Sequence, residues 1–279
     1  MSTEDERRVM STEDERIGEL ATAGTRLVAG AALPAGEART AAGVPVFRHD
    51  YGGSPDQFVE VYGDPATASA TVIFVHGGYF RPRTDLAHAR PLAAALAEAG
   101  VLVALVEYRR SGGQPHPLDD VTAAIDFVCA ELPDWGVGRQ ARENLVVSGH
   151  SAGGCLVLAW AGHLPEAGPR IRLRPLAPVT DLLREVVGGL ADGAVLDYMG
   201  VRPEEDLAAY LRHDPRSRAA PIPARVEVRS IHGDADGIVD VGFSRVFPAA
   251  RTELPGADHA DVIDPDSPYS AQVRQLILG

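Results

Sequence analysis

The stretch VVSGHSAGG, Val146–Gly154, sets one serine among small residues at the end of a β-branched run. A buried strand that turns at once into a helix leaves room at its corner only for side chains as small as Gly and Ala. The corner residue itself often carries a strained backbone. GHSAGG fits the G-x-S-x-G pattern, in which Gly149 and Gly153 clear the turn and lift Ser151 Oγ above the sheet edge. Short Gly/Ser patterns arise by chance, but here a β-branched run precedes the motif and a helical run, Ala152 to Leu164, follows it. That context reads Ser151 as a nucleophile rather than as a turn residue.

From about residue 44 onward, short β-rich runs alternate with longer runs rich in Ala and Leu at helical spacing. This is the pattern of an α/β fold, a mostly parallel sheet covered by helices on both faces. Val44 to Arg48 and Phe58 to Tyr62 read as an early antiparallel pair. Thr71 to Val75, Val101 to Val106, Leu145 to Val147, Ile171 to Leu176 and Val226 to Ile231 read as further strands. Helices are expected over Leu86 to Ala99, stopped by Gly100, over Asp119 to Leu132, and over Tyr269 to Leu278. Residues 181–218, with acidic and arginine residues and Gly breaks, read as an insertion or small lid on a domain spanning 44–279. Residues 1–43 form an N-terminal tail, mobile or helical, that can supply a lid helix. STEDER occurs there twice, at 2–7 and 11–16, and Met10 is an alternative natural start.

Composition narrows the partners. The chain has 279 residues, 45% hydrophobic and 23% charged, as expected of a globular protein with one core. Thirty-nine acidic residues against 26 basic ones give a net charge of -13, which argues against nucleic acid. Every basic residue is arginine, so Schiff-base lysines and the phosphate-loop lysine are excluded. No apolar run approaches the roughly 20 residues of a membrane helix, and the charged N-terminus lacks a signal-peptide core, so the expected location is cytoplasmic. Cys129 and Cys155 are expected to pack in the core rather than form a disulfide. Assembly as a homodimer is left open.

A serine hydroxyl needs a general base, and the base needs a carboxylate to hold its tautomer. Downstream, IHGDADGIVD contains Asp234, Asp236 and Asp240 just after a β-run, and LPGADHADVID contains His259 in a loop. The order Ser, Asp, His is the one expected for a nucleophile elbow on a parallel sheet. Asp236 fits the HGxxD pattern best, with Asp234 read as a brace of the turn and Asp240 as the start of the next helix. Negative charge developing on a carbonyl oxygen needs fixed donors. FVHGGYF places backbone N–H groups of the Gly77, Gly78 and Tyr79 turn after a buried strand, and Ala152 adds one after the nucleophile. No metal and no cofactor are expected, since neither HExxH nor a paired Cys cluster occurs.

With HGGYF, GHSAGG, HGDAD and DHADVID in this order, residues 44 to 279 resemble the α/β-hydrolase superfamily, and within it the arylformamidase (kynurenine formamidase) branch near the hormone-sensitive-lipase-like esterases. The resemblance implies a metal-independent serine hydrolase that cleaves N-formylkynurenine or short acyl esters. Ser151, Asp236 and His259 take the triad positions, and Gly78, Tyr79 and Ala152 the oxyanion positions. Two departures bear on the substrate. Esterase relatives usually have a third glycine where this chain has Tyr79, and many arylformamidases have tryptophan where it has Phe80. In EYRRSGGQPHPLDDV, Asp120 takes the place of a loop brace. Arg109, Arg110 and His116 are read first as structural contacts, with an arginine also suited to a substrate carboxylate. Trp160 is read as core.

The alternatives are a short-chain carboxylesterase, a natural-product enzyme that uses the same triad for elimination or cyclisation, and a noncatalytic binding protein on this fold. The last would be expected to lose Ser151 or His259, and both are present.

Overall fold

The computed structural model describes residues 3–27, 38–40, 43–110 and 116–279. The rest of the N-terminal tail and residues 111–115, between the EYRR and HPLDD segments, lie outside the described residues. In chain order the elements are α1 (Thr3–Leu27), β1 (Ala38–Arg39), β2 (Pro45–Asp50), β3 (Phe58–Tyr62), β4 (Thr71–Val75), α2 (Arg90–Glu98) and β5 (Leu102–Val106). They continue with α3 (His116–Glu131), α4 (Arg139–Glu143), β6 (Leu145–His150), α5 (Ala152–Ala161) and β7 (Ile171–Leu176). Three short helices follow, α6 (Leu182–Gly188), α7 (Ala194–Met199) and α8 (Leu207–His213), before β8 (Val226–Gly233), α9 (Gly242–Val246), β9 (Ala250–Leu254) and α10 (Ser270–Leu278).

The strands form one nine-stranded sheet in the order β1-β2-β3-β5-β4-β6-β7-β8-β9. The first three strands pair antiparallel, and every pairing from β5 through β9 is parallel. The expected mostly parallel sheet is therefore present, and it begins with β1, ahead of residue 44. Buried parallel strands carry apolar side chains on both faces. In β4, Ile73 and Val75 join the layer under α3 and α5, while Val72 and Phe74 join the opposite layer under α2 and α10.

Two expectations are corrected. The run from Leu86 is a 3-10 turn, Leu86–Ala89, followed by α2, with Pro91 near the helix start where its missing N–H costs nothing. Cys155 is buried on α5, but Cys129 is exposed on α3. Trp160 is buried as expected. The tail is helical over α1, which packs along the 3-10 turn and α2 and closes over the carboxyl ends of the parallel strands.

Candidate active site

The carboxyl edge of a parallel sheet collects the loops that follow neighbouring strands. Here the loops after β4, β6, β8 and β9 meet. Ser151 follows β6 with φ 55 and ψ -116, a left-handed backbone that a β-carbon disfavours. The glycines make it feasible. A Cβ at Gly153 would lie 2.2 Å from Val75 O and 2.5 Å from His76 O, and one at Gly149 would lie 2.5 Å from Gly153 O. The elbow thus packs directly on the loop after β4.

Asp236 and His259 are brought together by two loops that hold each other. Asp234 N donates to Leu254 O and Ala235 N to Ala257 O, at 3.2 and 3.1 Å. Asp234 Oδ1 accepts from Gly256 N at 2.6 Å, so Asp234 is the brace expected of it. Asp240 accepts from Gly242 N at the start of α9, also as expected. Asp236 is the carboxylate that faces the histidine: its Oδ2 accepts from His259 Nδ1 at 2.7 Å and from His232 Nε2 at 3.1 Å. Its Oδ1 accepts from Ile238 N and Val239 N at 2.9 and 2.7 Å.

Burial opposes the charge of Asp236, but the His259 charge and the hydrogen bonds from both histidines hold its carboxyl far below the usual carboxylate range. Burial likewise pulls His259 down, yet the Asp236 charge and hydrogen bond leave its pKa raised. Ser151 and His259 line one cavity of about 320 Å³. Among the described residues no hydrogen bond joins Ser151 Oγ to His259; both side chains face that cavity.

The loop after β4 faces the same cavity with Gly78 and Tyr79. Gly78 has φ 114, and Tyr79 and Phe80 have φ 58 and 60. The position where esterase relatives carry a third glycine thus has a left-handed backbone even though it is tyrosine. The loop is pinned from below: His76 Nε2 meets Glu107 Oε1 at 3.0 Å, Glu107 Oε2 accepts from Leu86 N at 3.0 Å, and Tyr108 OH donates to His76 O at 3.0 Å. Ala152, first in α5, has a backbone N–H that no preceding turn can satisfy.

The arginines of EYRR are occupied. Arg109 makes two hydrogen bonds to Asp120, at 2.8 and 2.6 Å, and Asp120 also accepts from Gln57, the bracing role expected of it. Arg110 pairs with Glu107 and Asp56. The arginine that does line the cavity is Arg83, 5.6 Å from the Tyr79 ring centroid.

Sequence reasoning missed several groups. His150 sits between glycine and serine in the motif. Its Nε2 meets His259 O at 3.1 Å, and its ring lies 4.4 Å from the His259 ring. Burial, with the neighbouring His259 and His88, drives its pKa well down, so it is a neutral support for the loop that carries His259. His88 lines the cavity and is held near a pKa of about 3, chiefly by burial. From α1, Asp14, Ile17, Gly18 and Ala21 form the opposite wall. Arg16 anchors that wall to Asp258, Asp261 and Asp264 around His259. Glu13 is 3% exposed and accepts from Gly237 N at 3.2 Å, and burial pushes its carboxyl up to about 7. The second STEDER copy supplies Glu13, Asp14 and Arg16 among them. Its repetition was visible, but nothing local shows where the helix docks.

A family model described as alpha/beta hydrolase fold matches residues 72–219, and the chain belongs to that family. No curated protein matches the sequence. Similar solved structures include esterase B from Lactobacillus rhamnosis, 18% identical over 99% of this chain and 95% of that one, with a TM-score of 0.69. A putative thioesterase from Silicibacter sp. is 20% identical over 95% and 92% of the two chains, with a TM-score of 0.67. Esterase Est22 is 17% identical over 85% and 79%, with a TM-score of 0.63. At these identities the likeness extends to the fold. Among the described residues, no helix is long and apolar enough to cross a membrane.

Proposed function

We propose that this chain is a serine hydrolase of short acyl esters, working through Ser151, His259 and Asp236. The observation that carries the reading is the 2.7 Å contact between Asp236 and His259 at the wall of the cavity that Ser151 enters. His259 Nε2 takes the Ser151 proton as Oγ attacks the acyl carbonyl. The resulting oxyanion is held by the N–H groups of Gly78, Tyr79 and Ala152. His259 then passes its proton to the leaving oxygen or nitrogen, and a water deprotonated by His259 releases the acid. No metal or cofactor enters this sequence of steps. The names of the similar structures, two esterases and a putative thioesterase, support acyl transfer.

A second reading is cleavage of an aromatic formamide such as N-formylkynurenine. It is favoured by the opposite charges of Arg83 and Asp14 beside Tyr79 in the large cavity, which suit an amino-acid head group. The two are compared by measuring kcat/KM for p-nitrophenyl butyrate and for N-formyl-L-kynurenine with the native chain and Ser151→Ala. Ester turnover that falls by about 10³-fold or more in the variant supports the first reading. A clear preference for the formamide selects the second, and near-native turnover by Ser151→Ala refutes both.

A further inference from the structure

Glu185 is a carboxyl that the triad does not use. It lies on α6, the helix capped by Asp181, one turn beyond the fully buried Leu182, and is itself only 4% exposed. Among the described residues its side chain makes no hydrogen bond or ion pair. The adjacent Arg184 is turned away, 4.0 Å from the Phe243 ring centroid and paired with Asp240. With no protein donor on them, the Glu185 oxygens open onto a cavity, and a carboxyl in so enclosed a setting is unfavourable unless a donor meets it there. Burial accordingly pushes Glu185 up to about 7.

The side chain lines a second, smaller cavity of about 30 Å³ that also meets Ser151. Its other walls are mainly apolar, with Phe80, Val179, Val195, Ile238 and Val239 among them. The two cavities divide the substrate. His259, which must protonate the leaving group, lines the larger cavity and not the smaller. Ala152, which follows the nucleophile, lines the smaller. The leaving group therefore belongs in the large cavity and the acyl chain in the small one, beside Glu185.

We propose that Glu185 is a specificity-determining residue that accepts a hydrogen bond from a donor carried on a short acyl chain, so that the preferred substrates are esters of small hydroxy or amino acids rather than of plain alkanoic acids. The proposal rests on the serine-hydrolase reading and adds the acyl class to it. A plain alkyl chain would seal the carboxyl away from water without a partner. A hydroxyl or ammonium would satisfy it, and sites with a buried polar group discriminate strongly against analogues that cannot pair with it.

The test is kcat/KM for the p-nitrophenyl esters of butyrate, 3-hydroxybutyrate and 3-aminopropanoate, each corrected for its spontaneous hydrolysis, with the native chain, Ser151→Ala, Glu185→Gln and Glu185→Leu. The native chain is expected to favour a donor-bearing ester over butyrate by at least about tenfold. Glu185→Leu should reverse that order. Glu185→Gln keeps an acceptor, so it should retain a preference for the hydroxyl ester and lose one for the ammonium ester, which separates the two donor types. If Leu is not accommodated, Glu185→Ala serves the same comparison. Ser151-dependent turnover of butyrate with no donor preference, or a preference unchanged when the carboxyl is removed, overturns the proposal alone. Absence of Ser151-dependent turnover on all three esters overturns the serine-hydrolase reading and the proposal with it.

Discussion

Asp236→Asn is the most informative single change, because the hydrogen bonds around the carboxylate dictate how the new amide must sit. Oδ1 accepts from two backbone N–H groups, Ile238 and Val239. An asparagine oxygen must take that place, since its NH₂ would meet two donors there. The NH₂ is then directed at His259 Nδ1 and His232 Nε2, where Oδ2 stood. His259 can accept from it only by moving its own proton to Nε2, the nitrogen needed to take the Ser151 proton. The same change leaves His232 Nε2, which also meets Val239 O at 2.8 Å, facing a second donor.

The loss is thus a wrong tautomer as well as a lost charge, and comparable triads lose about 10⁴-fold in kcat from this substitution. That factor corresponds to about 5.5 kcal/mol of barrier. The assay is kcat for p-nitrophenyl butyrate with active sites counted by a stoichiometric phosphonate, beside Ser151→Ala as the floor. KM should change far less than kcat. Activity within tenfold of native would refute both the tautomer argument and the assignment of Asp236.

Two further outcomes concern α1. Glu13 has a folded pKa of about 7, above its unfolded value of 4.5, so its contribution is most favourable below 4.5 and is lost as pH rises from there to about 7. Glu13→Gln should therefore be about 2 kcal/mol more stable than the native chain at pH 8, with the gap closing by pH 5, in paired thermal or urea melts; a gap independent of pH would contradict this. Arg16→Met removes the cation shared by Asp258, Asp261 and Asp264, whose side chains are 25%, 11% and 18% exposed. Discounted for that exposure, the loss is about 1–2 kcal/mol. It should appear as faster amide exchange over residues 12–24 and a raised KM, because α1 lines the substrate cavity; unchanged exchange there would mean that the anchor does not hold the helix.

Much of the sheet was legible because strands buried on both faces are written as short apolar runs. Thr71–Val75 and Ile171–Leu176 match their expected limits, and Leu145 to Val147 extends only to His150. The start of α2 was misjudged because apolar spacing continues through the 3-10 turn that precedes Pro91. Arg109 and Arg110 could be read as structural only in part, since Glu107 and Asp120 become their partners through the packing of the loop after β5 on α3. Glu185 did leave a signal: it falls three residues after an apolar position, on the same face of a helix.

The proposed triad of Ser151, Asp236 and His259 could be picked out from sequence because each residue sits in a short motif whose turn chemistry is local: glycines that permit a left-handed corner, or aspartates that fold back on their own loops. The neutral His150 support, the α1 wall and the division of the site into two cavities belong to the tertiary structure. Glu13 accepts its hydrogen bond from Gly237 N, 224 residues away. A contact over that separation is decided by how the folded sheet presents its carboxyl edge, and local propensity carries no trace of it.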